Sequence, residues 1–287
     1  MALIRTGRVI RVIMAVLGLC VAGYLGLMLV TTPSNDRPWA LEQHRLPSAL
    51  IDGQQVHVRN IRNFHYRSST DYDPAWYDRS FDLSRLKRVY FIIEPLSSWD
   101  AVAHTFLSFE FEGGEGSAGS RFLSISVEIR REVDESFSPL MGLLRQYELM
   151  YVIADERDII KLRANYRDHD VYIYPANMPS LQAMQELLLG MLERANQINR
   201  KPEFYNTLTN NCMTNIVRHI NALFPYYVPW SRKVLFPGYS DELAYELDMI
   251  DTDLSFEEAR SYYQINALAL QHADADEFST VIRRVRK

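Results

Sequence analysis

Two segments decide the fold class: "AHTFLSFEF" (103–111) and "RFLSISVEIRR" (121–131), joined by the Gly- and Ser-rich "EGGEGSAGS" (112–120). Both have strand composition, and a connection rich in small residues suits a hairpin loop. In the second segment apolar and polar side chains alternate, so one face carries Leu123, Ile125, Val127 and Ile129 and the other carries Ser124, Ser126, Glu128 and Arg130. The pattern predicts a long antiparallel hairpin.

Further strands and helices are expected on both sides of this hairpin. The strand candidates are 56–68, the apolar stretch 89–93, "YELMYVIADERD" (147–158) and "DVYIYP" (170–175). Apolar residues at helical spacing predict helices over 179–199, after Cys212, over 239–250 and over 255–273, with Ser240 and Ser255 as N-caps. The predicted class is α+β, with an antiparallel sheet packed on helices.

The N-terminus has the pattern of a signal anchor. Arg5, Arg8 and Arg11 precede the uncharged apolar run 12–30, which as a helix is about 28 Å long and spans a bilayer core. No A-x-A cleavage pattern follows the run. The arginines predict a cytoplasmic tail (1–11), a transmembrane anchor (12–30) and an external remainder. Cys20, inside the run, is expected to be a small membrane-helix residue.

The external part divides into a Pro-rich linker (31–50), a catalytic domain (51–225) and a helical C-terminal extension (226–287). That extension could cover a cleft, bind a partner or complete the core. A net charge of −5 gives no reason to expect nucleic acid as a partner. No two candidate metal ligands fall at a usable local spacing, so neither a metal nor another cofactor is expected. The oligomeric state is open.

The segment "TLTNNCMTNIVRHI" (207–220) contains the one cysteine outside the apolar run. Asn210 and Asn211 are N-cap residue types, so Cys212 is expected in the first turn of a helix. There the helix dipole favours a thiolate, and the unpaired N–H groups, together with Asn210 or Asn211, could bind an oxyanion. The pattern is typical of a cysteine nucleophile. An inert buried thiol is the alternative.

A cysteine nucleophile needs a base, and His104 is the best placed of seven histidines. A hairpin centred near residue 116 sets Glu128 opposite His104, where it can orient the imidazole; Ser126 is the substitute if the register differs. His219 lies about 10 Å along the helix from Cys212, too far for proton transfer. The alternatives are a structural strand histidine and a glutamate in an ordinary salt bridge. Tyr147 and Arg145 are candidate cleft residues, although an amphipathic surface explains them equally well.

Several segments, in order, resemble one known family. They are the opening "VRNIRNFHYRS" (58–68), "AHTFLSFEF", "SISVEIRRE", "RQYELMYVIADERD" and "EFYNTLTNNCMTNIVRHI". Together they resemble the periplasmic domain family of the Lnb-type lipoprotein N-acyltransferases, which is similar to permuted papain-like thiol enzymes. The resemblance implies Cys212 as nucleophile, His104 as base and, less directly, Glu128 as the orienting residue. Members of that family carry further membrane segments after this domain, whereas one span is predicted here.

These inferences predict a single-pass protein of the inner membrane whose periplasmic domain is a cysteine acyltransferase or hydrolase. An S-acyl enzyme is the expected intermediate, and the resemblance implies lipid or lipoprotein esters as substrates. Two alternatives stay open. One is a thiol peptidase or amidase acting on cell-wall peptides, and the other is a non-catalytic anchored binding domain.

Overall fold

The computed structural model describes residues 2–97, 99–113, 119–167 and 169–283, with side chains from residue 9 onward. Most of the hairpin connection, residues 114–118, lies outside the described residues. The strands are β1 Ser48–Asp52, β2 Gln55–Arg62, β3 His65–Tyr66, β4 Tyr72–Asp73, β5 Trp76–Asp82, β6 Leu86–Pro95, β7 Ala103–Phe111, β8 Arg121–Arg130, β9 Glu148–Ala154 and β10 Tyr172–Pro175.

Ten α-helices are found among the described residues. They are α1 Ala2–Val30, α2 Pro139–Leu143, α3 Glu156–Lys161, α4 Leu181–Arg200, α5 Cys212–Leu223, α6 Arg232–Leu235, α7 Ser240–Glu246, α8 Phe256–Tyr263, α9 Asn266–Gln271 and α10 Phe278–Val281. Within α1, the stretch Val9–Val30 is long and apolar enough to cross a membrane. A π-helical turn, Leu162–Tyr166, directly continues α3.

The large sheet is antiparallel apart from one parallel contact. Its order is β1-β2-β9-β8-β7-β6-β10, with β5 on β2, and the parallel contact joins Arg62 of β2 to Ala154 of β9. The predicted α+β class is therefore confirmed. In the hairpin, Phe106 pairs with Ser126 and Phe111 with Arg121. This register has its centre near residue 116, and its continuation brings Glu128 opposite His104, as the sequence predicts.

Helices cover both faces of the sheet, which explains why its strands are apolar on both sides. One face buries residues such as Leu107 and Ile125 against Leu188 of α4 and Ile216 of α5. The other face packs Phe106 and its neighbours against α3, α9 and α10. Burial of this apolar surface is the main stabilising contribution to the domain.

Two segments expected to lie outside the catalytic domain pack against it. Trp39 is buried beneath Arg130 of β8, with the guanidinium 4.1 Å from the ring centre. At the other end of the chain, Ile265 and Phe278 are buried against the sheet. Of the three roles left open for residues 226–287, these contacts support completion of the core.

The two predicted N-caps differ in outcome. Ser255 caps α8, and with Glu258 it forms a reciprocal capping box. The prediction for Ser240 is wrong. Ser240 is the first residue of α7, which follows the 3-10 turn Pro237–Tyr239, and its hydroxyl donates to the carbonyl of Pro237 at 2.5 Å. The preceding turn leaves Tyr239 in the cap position.

Candidate active site

Cys212 is the first residue of α5, as expected from the sequence. Asn211 caps the helix: its side-chain oxygen accepts from the backbone N–H of Thr214 at 2.9 Å, and the Thr214 hydroxyl accepts from the N–H of Asn211 at 2.8 Å. This capping box fixes where the helix begins. The Cys212 side chain is held at the positive end of the helix, and the residue is 5% exposed.

The side-chain amides of both asparagines are used within this turn. The amide of Asn211 donates to the carbonyl of Thr207 at 2.6 Å, and that of Asn210 donates to the carbonyl of Phe204 at 2.9 Å. The oxygen of Asn210 accepts from Asn215 at 3.0 Å. Both residues therefore hold the loop in front of Cys212, and an oxyanion role for either amide stays a prediction.

His104 lies near the start of β7, where the hairpin register brings it beside Ser126 and Glu128. Its Nε2 is 2.7 Å from Ser126 Oγ, and that hydroxyl donates to Glu128 Oε1 at 3.0 Å. The direct separation between His104 Nε2 and Glu128 Oε1 is 3.7 Å. The two candidates for the orienting group, which the sequence offers as alternatives, thus lie in series, with Ser126 between His104 and Glu128.

An arginine–glutamate network behind Glu128 was not expected from the sequence. Arg163, on the π-helical turn, contacts Glu128 Oε1 at 2.9 Å and Glu94 Oε2 at 2.8 Å, and its side chain is 4% exposed. The other oxygen of Glu94, Oε1, lies 3.0 Å from His169 Nδ1 and 3.4 Å from Arg167 Nη1. The available signals were an arginine within the apolar stretch 159–164 and a glutamate at the end of the apolar strand β6.

Both carboxylates of this network stay ionised. Burial alone would raise their pKa values, but the surrounding charges together outweigh it, with Arg163 as the largest of them, and hold the pKa of Glu128 at about 2 and that of Glu94 at about 2. His104 and Arg167 contribute to both values in the same direction. Glu128 therefore presents a permanent negative charge to the side of His104 on which Ser126 lies.

The environment of Cys212 favours its thiolate. Burial raises the pKa of the thiol, but the His104 imidazole, through hydrogen bonding and charge, and the backbone N–H and hydroxyl of Thr105 together lower it by more. The net pKa of Cys212 lies below its ordinary value. Tyr205 is buried in the same cluster as Cys212, and burial followed by the charge of Cys212 raises the pKa of its phenol. A thiolate beside an imidazole is the reactive form of a cysteine.

Two predicted cleft residues have other surroundings. The Tyr147 hydroxyl donates to the carbonyl of Ser136 at 2.5 Å and accepts from the N–H of Ser138. Arg145 donates to the carbonyl of Met28 in α1 at 3.0 Å and covers the ring of Phe204. The structure brings Cys212, His104, Ser126 and Glu128 together and gives Tyr147 and Arg145 separate contacts.

Across the described residues, no group of three His, Cys, Asp or Glu side chains is arranged to hold a metal ion.

These features define a class: an α+β domain behind a membrane-type helix, with a thiol at a helix start and an imidazole beside it. The model of the Lnb N-terminal periplasmic domain matches residues 72–238, more than half of the chain, so the protein belongs to that family. The match includes His104, Glu128, Arg163 and Cys212. No curated protein and no solved structure matches the chain significantly. Membership in this family and the apolar N-terminal helix together indicate a periplasmic, membrane-associated protein.

Proposed function

We propose that the protein is a thiol acyltransferase or hydrolase of the inner membrane that works in the periplasm through an S-acyl intermediate. The observation that carries the proposal is the arrangement of Cys212 at the start of α5 and of His104, backed by Ser126 and Glu128, near enough to lower the pKa of the thiol together with Thr105. A buried structural cysteine has no need of a polar partner, and burial alone would raise its pKa.

The two ring nitrogens of His104 have different partners in the proposed mechanism. Nε2 is occupied by Ser126, which leaves Nδ1 for the thiol of Cys212. In the first step the thiolate attacks the carbonyl carbon of an ester, a C–S bond forms, and the C–O bond breaks. The imidazolium of His104 gives its proton to the departing alcohol. Glu128, ionised and linked through Ser126, stabilises the imidazolium until that transfer.

The negative charge that develops on the carbonyl oxygen needs donors beside Cys212. The backbone N–H groups at the start of α5 are one source. Thr105 is a second, because its buried hydroxyl and its backbone N–H both lie near enough to Cys212 to lower the pKa of the thiol. A hydroxyl beside the reacting thiol can donate to the oxygen on which charge develops.

In the second step an amine or water attacks the thioester carbonyl. The new C–N or C–O bond forms, the C–S bond breaks, and the proton of the nucleophile passes to His104. A lipid or lipoprotein ester is the proposed acyl donor, since the anchor helix keeps the domain at a membrane and the family description places it in the periplasm.

The test is to trap the intermediate on the full chain. The protein is incubated with vesicles that carry a phospholipid labelled in its acyl chains, stopped in acid and digested. The expected result is a hydroxylamine-labile acyl group on the Cys212 peptide, absent from Cys212→Ala and His104→Ala. Cys20→Ala is the matched control and should retain the label.

Either of two outcomes would overturn the proposal. A label that persists in Cys212→Ala would mean that this thiol is not the acceptor. Acylation of Cys212 by cell-wall peptide fragments, with none from lipid, would make the protein a thiol amidase.

A further inference from the structure

The short helix α2 exposes an apolar face. Leu140 lies in α2, Leu144 is its C-cap, and Phe137 directly precedes its N-cap Ser138, so the three side chains belong to one short surface segment. They are 49%, 58% and 37% exposed, whereas Met141, on the opposite side, packs against the core. Three large, exposed apolar side chains within eight residues of a surface segment indicate a contact with something apolar.

This face lies beside the end of the anchor helix. Arg145, which directly follows Leu144, donates to the carbonyl of Met28 at 3.0 Å. Met28 is two residues from the end of α1 at Val30, about 3 Å along the helix axis. The end of an apolar span marks the level of the bilayer surface, so Leu144 lies at that level.

The orientation of the sheet agrees with this placement. After α1 the chain returns to the first residue of β9: the N–H of Ser34 donates to Glu148 at 3.0 Å, and Arg37 pairs with the same carboxylate at 3.1 Å. Strand β9 therefore begins near the membrane and runs away from it. Met150, which pairs with Glu128, is two residues further, about 7 Å along the strand. The His104 site is thus near the membrane end of the sheet.

The same surface continues to the loop in front of Cys212. Thr207 donates from its hydroxyl to the carbonyl of Pro139 at 2.7 Å, and the next residue, Leu208, is 41% exposed. Gly142 allows the close approach, since a Cβ there would collide with the Thr207 hydroxyl and lie 3.2 Å from the ring of Tyr205. One patch thus joins α2 to a loop residue four positions before Cys212.

We propose that the interfacial patch, defined as Phe137, Leu140, Leu144 and Leu208, inserts into the surface of the membrane that holds α1. The occupant is lipid because the patch begins at the end of the membrane span and is apolar, and because Arg145 supplies a cation at headgroup level. Insertion fixes the domain on the bilayer with the His104 end of the sheet toward it. The proposal goes beyond acyl transfer and does not depend on it.

The test uses the full chain in nanodiscs, one copy per disc, in a Cys20→Ala, Cys212→Ala background. A polarity-sensitive fluorophore is attached at Leu140→Cys or Leu144→Cys. Glu112→Cys is the matched control, since Glu112 is exposed just beyond β7 at the opposite end of the sheet. Because the background lacks Cys212, the result is independent of whether the proposed chemistry is correct.

The expected result is a blue-shifted emission at positions 140 and 144 and at least twofold quenching by lipids that carry a spin label near the headgroup. The label at 112 should be unaffected. Emission at 140 and 144 equal to that at 112 would overturn the proposal. A blue shift without quenching by lipid would also overturn it, because the patch would then be covered by protein.

Discussion

The carboxylate of Glu128 lies 3.7 Å from the imidazole of His104 and reaches it through an intervening hydroxyl. Ser126 is within hydrogen-bonding distance of both, 2.7 Å from the imidazole nitrogen and 3.0 Å from the carboxylate. The orienting group of the proposed site is therefore a relay of two residues from the same strand. Both point the same way because they are two positions apart on β8.

The relay makes Ser126 testable on its own. Ser126→Ala removes the hydrogen bond to a nitrogen that becomes charged during the reaction, and such bonds contribute about 1.5–3 kcal/mol. We expect the rate of Cys212 acylation to fall about 10- to 100-fold, with the fold intact. Ser126→Thr keeps the hydroxyl and is the control. Equal rates in Ser126→Ala and the parent protein would exclude the relay.

Arg163 should be essential for stability. Arg163→Met leaves Glu128 and Glu94 buried without their main partner, and breaking a buried pair costs about 3–5 kcal/mol. Arg167→Met is the control, because Arg167 is more exposed, lies farther from Glu94 and should cost less than about 1 kcal/mol. Thermal unfolding of the full chain in detergent measures both. Similar melting temperatures for the two variants would contradict the network.

The same network predicts that the folded protein loses stability in acid. The pKa values of Glu128 and Glu94 are depressed to about 2, so their contribution to stability is complete above their ordinary pKa near 4.5 and is lost as the pH falls toward 2. The loss should be smaller in Arg163→Met, since the arginine is the main group that lowers both values.

His219 should give a second pH dependence at milder acidity. Burial, followed by Arg218 and Arg194, lowers its pKa from about 6.5 to about 4, and its Nε2 is 2.9 Å from the Tyr151 hydroxyl. The folded protein therefore binds fewer protons than the unfolded chain between pH 6.5 and 4. The free energy of unfolding should therefore decrease by about 2 kcal/mol as the pH is lowered through that window, allowing for the partial exposure of His219. His219→Gln should flatten this slope, and an unchanged slope would contradict the assignment.

Arg130 should hold the segment after the anchor. Its guanidinium donates to the carbonyls of Gln43 and His44 and to the side chain of Asn35 at 2.9–3.0 Å. Lysine cannot make this forked set, so Arg130→Lys should cost about 2 kcal/mol and expose Arg45 to trypsin. Arg131→Lys is the neighbouring control. Equal trypsin cleavage after Arg45 in both variants would count against this role.

The sequence predicts the hairpin register well because the information is local. Two strands joined by one connection pair symmetrically about its centre, and alternation fixes which side chains share a face. The start of α5 is local in the same way, since Asn211 and Thr214 form the capping box within four residues. Glu128 was found because it follows from this local symmetry once His104 is selected among the seven histidines.

The network behind them is not local. Arg163 meets Glu94 and Glu128 only after α3 has packed across the sheet, and no spacing in the sequence relates these three positions. The burial of Trp39 under Arg130 has the same origin, because a Pro-rich segment has no periodicity that predicts docking. Alternation marks strand faces, but it does not predict which tertiary partner covers them.

The central claim is that His104 keeps Cys212 as a reactive thiolate, and the pH dependence of Cys212 alkylation tests it most directly. The measurement uses the full chain with Cys20→Ala, so that one thiol reacts. The account predicts a midpoint below the ordinary cysteine value of about 8.5, and a shift back up in His104→Ala. Slow alkylation with an ordinary or higher midpoint, unchanged in His104→Ala, would identify Cys212 as a buried structural thiol and contradict the account.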